Sequence, residues 1–193
     1  MTKLYHFGLH LKVGDVLIPD YHKKSRLVLP YVQALNKGQD VFENMLIQGR
    51  YLKEVLRRSG VREWSDYCKW ATEGLFEYIR QCKFPDRYSR IKTNYFFDTV
   101  EKCRNLYKAD YIDVGDCAGE ELFELEVQDD SPQYLDMNVY DEAYNAIENE
   151  EHIETLMAIA EKYWNFETTP IPNFEILSDK KAVIINKLNW EFD

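Results

Sequence analysis

Thr93-Asn94-Tyr95-Phe96-Phe97-Asp98-Thr99-Val100-Glu101-Lys102-Cys103-Arg104-Asn105-Leu106-Tyr107 is the stretch that decides the fold. Asn94–Phe97 reads as a short aromatic strand, because aromatic residues suit a pleated, half-buried surface. Asp98 and Thr99 then supply caps for a helix ending near Lys108. A strand that runs through a cap into a helix in the middle of the chain predicts a domain in which sheet and helices pack together.

The flanks extend this reading. On the N-terminal side, Leu4–Phe7 reads as a strand, followed by Gly8, Gly14 and Pro19 as loop punctuation and by Val16–Ile18 as a second short strand. Two helices are expected next. The first runs over Gln39–Arg58, with Asp40 as cap and Gly60 as stop, because Val41, Phe42, Met45, Leu46, Leu52, Val55 and Leu56 recur at helical spacing. The second starts near Ser65 and reaches Cys82, carrying Tyr67, Trp70, Ala71, Leu75, Tyr78 and Ile79 on its apolar side, with Pro85 ending it.

On the C-terminal side, Leu122–Val127 alternates apolar and acidic residues as a strand does. Asn138 and Asp141 begin a helical stretch that breaks near Asn149 and resumes through Ile153, Leu156, Met157, Ala160 and Tyr163. The acidic run Glu148–Glu154 reads as a solvated face or helix start. Phe174–Leu177, a turn at Ser178–Lys181 and Ala182–Leu188 read together as a hairpin. Strands at both ends with helices between them predict an α+β domain over 1–193, with a mixed or antiparallel sheet and a helical insert at about 38–84. Regular strand–helix alternation is absent from the pattern, which argues against a doubly wound parallel sheet.

Composition bounds the function. The chain has 193 residues, 45% hydrophobic and 15% aromatic, with 14 Tyr, 10 Phe and 4 Trp, enough to build a core rather than a disordered chain. Its formal charge of -10 argues against a broad basic face for duplex nucleic acid. Lys83, Arg87, Arg90 and Lys92 reverse that charge locally, as a site for a phosphate-bearing ligand or as a solvated loop. Cys68, Cys82, Cys103 and Cys117 form no CxxC pair, so no structural zinc site is expected. No apolar run approaches the roughly 18 residues of a membrane helix and no signal segment is visible, which leads to the expectation of a cytoplasmic protein with reduced thiols.

Phosphate loops, GxGxxG turns, GxSxG elbows, HExxH pairs and calcium loops are all missing from the sequence. Three features remain: Leu4-Tyr5-His6-Phe7-Gly8, the Thr93–Tyr107 segment, and Asn173-Phe174-Glu175-Ile176-Leu177. Each has a plain reading: a strand-end histidine, a core tyrosine, a solvent-side glutamate. Arg90 likewise reads as a surface or salt-bridged arginine.

Taken in order, the three pieces resemble the His–Tyr–Glu signature of the ADP-ribosyltransferase superfamily. Phe84-Pro85-Asp86-Arg87-Tyr88-Ser89-Arg90, Tyr163-Trp164 and Glu175-Ile176-Leu177 also resemble a small bacterial family of unassigned function. The resemblance implies a split sheet of ADP-ribosyltransferase type and NAD as substrate, with no metal. It implies Glu175 beside the ribose, where a carboxylate stabilises developing positive charge. His6 would meet a ribose hydroxyl, Tyr95 and Tyr107 would sandwich the nicotinamide ring, Gly8 would lie beside His6, and Arg90 would take the pyrophosphate. Departures are Phe7 between His6 and Gly8, Asn94 before Tyr95, and Asn173 in place of a second acidic or amide residue. The acceptor is then open: a protein or a single-stranded nucleic acid, in a toxin or conflict protein with an antitoxin-like partner, or water in an NAD glycohydrolase. The rival from another class is a non-catalytic binding or regulatory module with an aromatic cleft.

Overall fold

In a computed structural model the described residues are 2–19, 25–58, 67–113 and 119–189. The chain divides into two compact units. One comprises residues 1–20, 92–135 and 173–193 and holds the strands; the other comprises 21–91 and 136–172 and is helical.

The strand unit contains two sheets. The larger runs in the order β1 (Thr2–Gly8), β4 (Glu121–Val127), β7 (Ala182–Leu188), β2 (Val16–Leu17), with antiparallel pairing. The smaller runs in the order β3 (Asn94–Phe96), β6 (Phe174–Ser178), β5 (Gln133–Asp136). A single bridge, Tyr5 with Phe97, links β1 to the end of β3, through Tyr5 N–H to the Phe97 carbonyl at 2.8 Å and the reverse bond at 2.9 Å. Leu4, Phe123, Leu125 and Ile184 of the larger sheet pack with Phe96 and Ile176 of the smaller in one buried cluster. Burial of such a side chain stabilises by about 1.5–3 kcal/mol, so this shared core is what holds the two sheets together.

The expected hairpin near the C-terminus does not form. β6 pairs with β3 and β7 pairs with β4 and β2, so the turn at Ser178–Lys181 carries the chain from one sheet to the other. A buried polar knot fixes that crossing: Ser178 Oγ donates to Asp129 Oδ2 at 2.6 Å, Asp129 Oδ1 accepts from Ser131 N–H, and Lys180 N–H donates to Ser178 Oγ. Helix α4 (Val100–Tyr107) follows β3 as expected, with the Thr99 hydroxyl accepting from Lys102 N–H at 3.3 Å. Its last turn passes into a short π-helical turn at Lys108–Ile112.

The helical unit is built from α1 (Ser25–Lys37), α2 (Gln39–Arg58), α3 (Tyr67–Lys83), α5 (Met137–Glu148) and α6 (Ile153–Trp164). The expected bounds 38–84 therefore cover only part of it. Helix α1 is not expected from the sequence, because Pro30 sits inside it. Proline removes a helical N–H bond, and burial of Val28, Val32, Ala34 and Leu35 overrides that cost. Gly74 of α3 allows the close approach of α1: a Cβ there would lie 2.5 Å from Tyr31 Cβ and 3.2 Å from the Val28 carbonyl. Asp136, rather than Asn138, caps α5: its carboxylate accepts from Asn138 N–H and from both the N–H and hydroxyl of Thr169. The expected starting point at Ser65, the stop at Gly60 and Cys117 lie outside the described residues. No helix of the described residues is long and apolar enough to cross a membrane.

Candidate functional site

The strand unit brings the strands of the three sequence features side by side. β1 carries His6, β3 carries Tyr95 and β6 carries Glu175, and their neighbour order is β1, β3, β6. Side chains alternate along a strand and directly opposed residues share a face. Tyr95 stands opposite Leu177, so Glu175, two residues along β6, projects to the same face as Tyr95. Phe96 and Ile176 take the other face and enter the shared core.

Helix α4 packs against β1. The Tyr107 ring meets Phe7 edge-on at 5.5 Å, and Phe7 stacks on Phe97 at 6.4 Å. Phe97 continues the alternation from Tyr95, which places Tyr107 on that same side. The Tyr107 hydroxyl donates to Glu120 Oε2 at 2.9 Å, and the side chain is buried. Tyr95 and Glu175 thus share one face of β3 and β6, and Tyr107 packs on Phe7 of the neighbouring β1. Glu175 is only 3% exposed, which corrects the plain reading of a solvent-side residue.

His6 is not on that face. In β1 it pairs opposite Phe123 of β4, and its ring meets the edge of Phe96 at 6.1 Å, on the core side. Its Nδ1 bonds the Tyr95 carbonyl at 2.9 Å, two residues before Phe97, the bridge partner of Tyr5. A carbonyl only accepts, so Nδ1 carries the proton and Nε2 is left as the acceptor nitrogen. Burial lowers the pKa of this ring below the usual histidine value, partly offset by the bond to Tyr95, and favours the neutral form. Gly8 lies against it: a Cβ at Gly8 would stand 3.5 Å from His6 Nε2 and 3.0 Å from Leu11 Cδ1.

Arg90 belongs to the helical unit. It is 4% exposed, with Nε donating to Glu73 Oε2 at 3.0 Å, Nη2 donating to Glu73 Oε1 at 3.1 Å and Nη1 donating to the Tyr163 hydroxyl. Its guanidinium carbon lies 4.5 Å from the Tyr140 ring centre. The salt-bridged reading of Arg90 is the one realised, and its donors are spent on protein groups rather than presented to a pyrophosphate. The neighbouring Ser89 hydroxyl donates to Glu77 Oε2 at 2.9 Å, and Glu77 also takes Arg80 Nη2 at 2.8 Å. One member of the basic stretch, Arg90, is therefore held in a buried ion pair with α3.

Two donors escaped the sequence reading. Asn94 Nδ2, beside Tyr95, and Arg104 Nε, on α4, are buried and make no hydrogen bond. Buried donors are nearly always bonded, so an orphan pair invites explanation. No sequence pattern marked either, and only the division into units shows that Arg104 is the one arginine in the three segments of the strand unit.

Among the described residues no group of three or more His, Cys, Asp or Glu side chains is placed to hold a metal ion. An open surface depression on α6, lined by Met157, Glu161, Asn165 and others, involves none of the expected residues. No curated protein matches the chain. Residues 11–189 match the family described as "Protein of unknown function (DUF2441)", so β2 through β7 and α1 through α6 lie within the match. The protein belongs to the DUF2441 family.

Proposed function

We propose that the protein is an ADP-ribosyltransferase-like enzyme that uses NAD as a substrate, built on a split sheet of the type that resemblance implies. The observation that carries this reading is that β3 and β6 pair with Tyr95 and Glu175 on one face, while β1 bridges to Phe97 and carries Phe7 against Tyr107. In this reading the nicotinamide–ribose C–N bond breaks, its electron pair leaves with the nicotinamide, and an acceptor oxygen or nitrogen bonds the ribose carbon and gives up its proton. The Glu175 carboxylate stabilises the positive charge that develops on the ribose. Tyr95, which is partly buried, would offer its aromatic face to the departing ring. His6 stands on the opposite face and holds the Tyr95 backbone through Nδ1, so in this reading it positions Tyr95 rather than meeting the ribose. The acceptor is a protein or single-stranded nucleic acid in a toxin or conflict setting with an antitoxin-like partner; water as acceptor would make it a glycohydrolase.

The test is incubation with labelled NAD and cell lysate, wild type beside Glu175→Gln. The expected result is label transfer to macromolecules that falls by roughly 100- to 1000-fold in the variant, the scale for losing one aimed electrostatic group. Free nicotinamide without transfer would favour the glycohydrolase. No NAD binding and no NAD consumption by the wild type would leave a non-catalytic module as the better account.

A further inference from the structure

We infer that Arg104, on α4, is the anion-binding residue of the Tyr95 and Glu175 face, and that it takes the pyrophosphate of a dinucleotide ligand. The inference rests on the NAD reading and names the residue that would hold the charged part of the molecule.

Five observations converge on it. Arg104 is the one arginine in the segments of the strand unit. It is half-buried, its Nε is buried, and Nε makes no hydrogen bond. It lies one helical turn before Tyr107, and residues three apart are neighbours on a helix surface. Tyr107 in turn packs on Phe7, on the side to which Tyr95 and Glu175 project. Its charged neighbour on the helix is already engaged: Lys102 pairs with Asp98 at 2.8 Å.

Physical chemistry says what such a group is for. A guanidinium is always charged, and its planar fork matches two oxygens of a phosphate or carboxylate. Leaving a donor buried and unbonded costs about 1–3 kcal/mol, a cost that a bound anion would remove. Arg90, the arginine expected in this role, has its fork closed on Glu73.

The experiment measures binding of ADP, NAD and nicotinamide by calorimetry to wild type, Arg104→Gln, Arg104→Lys and Arg90→Lys. For Arg104→Gln we expect ADP and NAD to weaken by at least tenfold with nicotinamide unchanged, partial recovery in Arg104→Lys, and an unliganded melting temperature close to wild type. Unchanged ADP and NAD affinity in Arg104→Gln, with NAD still binding the wild type, would overturn the assignment and leave the NAD reading standing. Equal weakening of nicotinamide would also overturn it, since the residue would then shape the site as a whole. Wild-type protein that binds none of the three overturns the NAD reading, and the assignment with it.

Discussion

Replacing Arg90 by methionine separates a structural arginine from a ligand-binding one. In the wild type the guanidinium meets Glu73 at 3.0 and 3.1 Å, donates to the Tyr163 hydroxyl and lies against the Tyr140 ring. The side chains of Arg90 and Glu73 are 5% and 12% exposed, so water screens the pair weakly. Methionine fills much of the volume but leaves the Glu73 carboxylate buried without its cation. Breaking a buried pair from one side costs about 3–5 kcal/mol. For a chain of this length, each kcal/mol lowers the melting temperature by roughly 2–4 °C, so a drop of about 6–20 °C is expected. The assay is urea unfolding followed by near-ultraviolet circular dichroism, which reports the aromatic packing around the pair. The double variant Glu73→Leu with Arg90→Met removes both charges and should recover most of the loss, because two apolar side chains replace a buried pair at little or no cost. A single-variant cost under about 1 kcal/mol, or losses that simply add in the double variant, would refute the reasoning. So would a selective loss of ADP binding in Arg90→Met with the stability of wild type.

His6 is neutral in the fold because burial lowers its pKa, whereas the unfolded chain takes up a proton near the ordinary 6.5. Stability is therefore fully present above about pH 6.5 and falls as the pH drops below it, by up to about 1.4 kcal/mol per pH unit; His6→Asn, which keeps a donor for the Tyr95 carbonyl, should flatten that slope in urea titrations at pH 5 to 7, and an unchanged slope would count against the assignment. Gly74→Ala sets two effects against each other, since helix propensity favours alanine by roughly 1 kcal/mol. The new Cβ would meet Tyr31 Cβ at 2.5 Å, and overpacking of about 1–3 kcal/mol should win, so the variant should melt lower than wild type; a higher melting temperature would show that α1 gives way easily.

The local periodicities of the chain determined most of the elements. Alternation marked Leu122–Val127, helical spacing marked Gln39–Arg58, and the Asp98-Thr99 cap marked the start of the helix that carries Tyr107, because each of these signals is written within a few neighbouring residues. The same locality made His6, Tyr95 and Glu175 visible as candidates in their order. Partner choice is different, because it depends on contacts between residues far apart in sequence. Only the tertiary structure decided that β6 turns away from β7 to pair with β3, since strand pairing follows which apolar faces share a core. It decided that a helix forms across Pro30, where burial outweighs a lost hydrogen bond. It decided that Arg90 is spent on Glu73 while Arg104 keeps an unbonded donor, since a side chain's partners are set by packing and are not encoded in its neighbours along the chain. And it placed Tyr95 and Glu175 on one face with His6 behind them, because strand register alone fixes which way each side chain points.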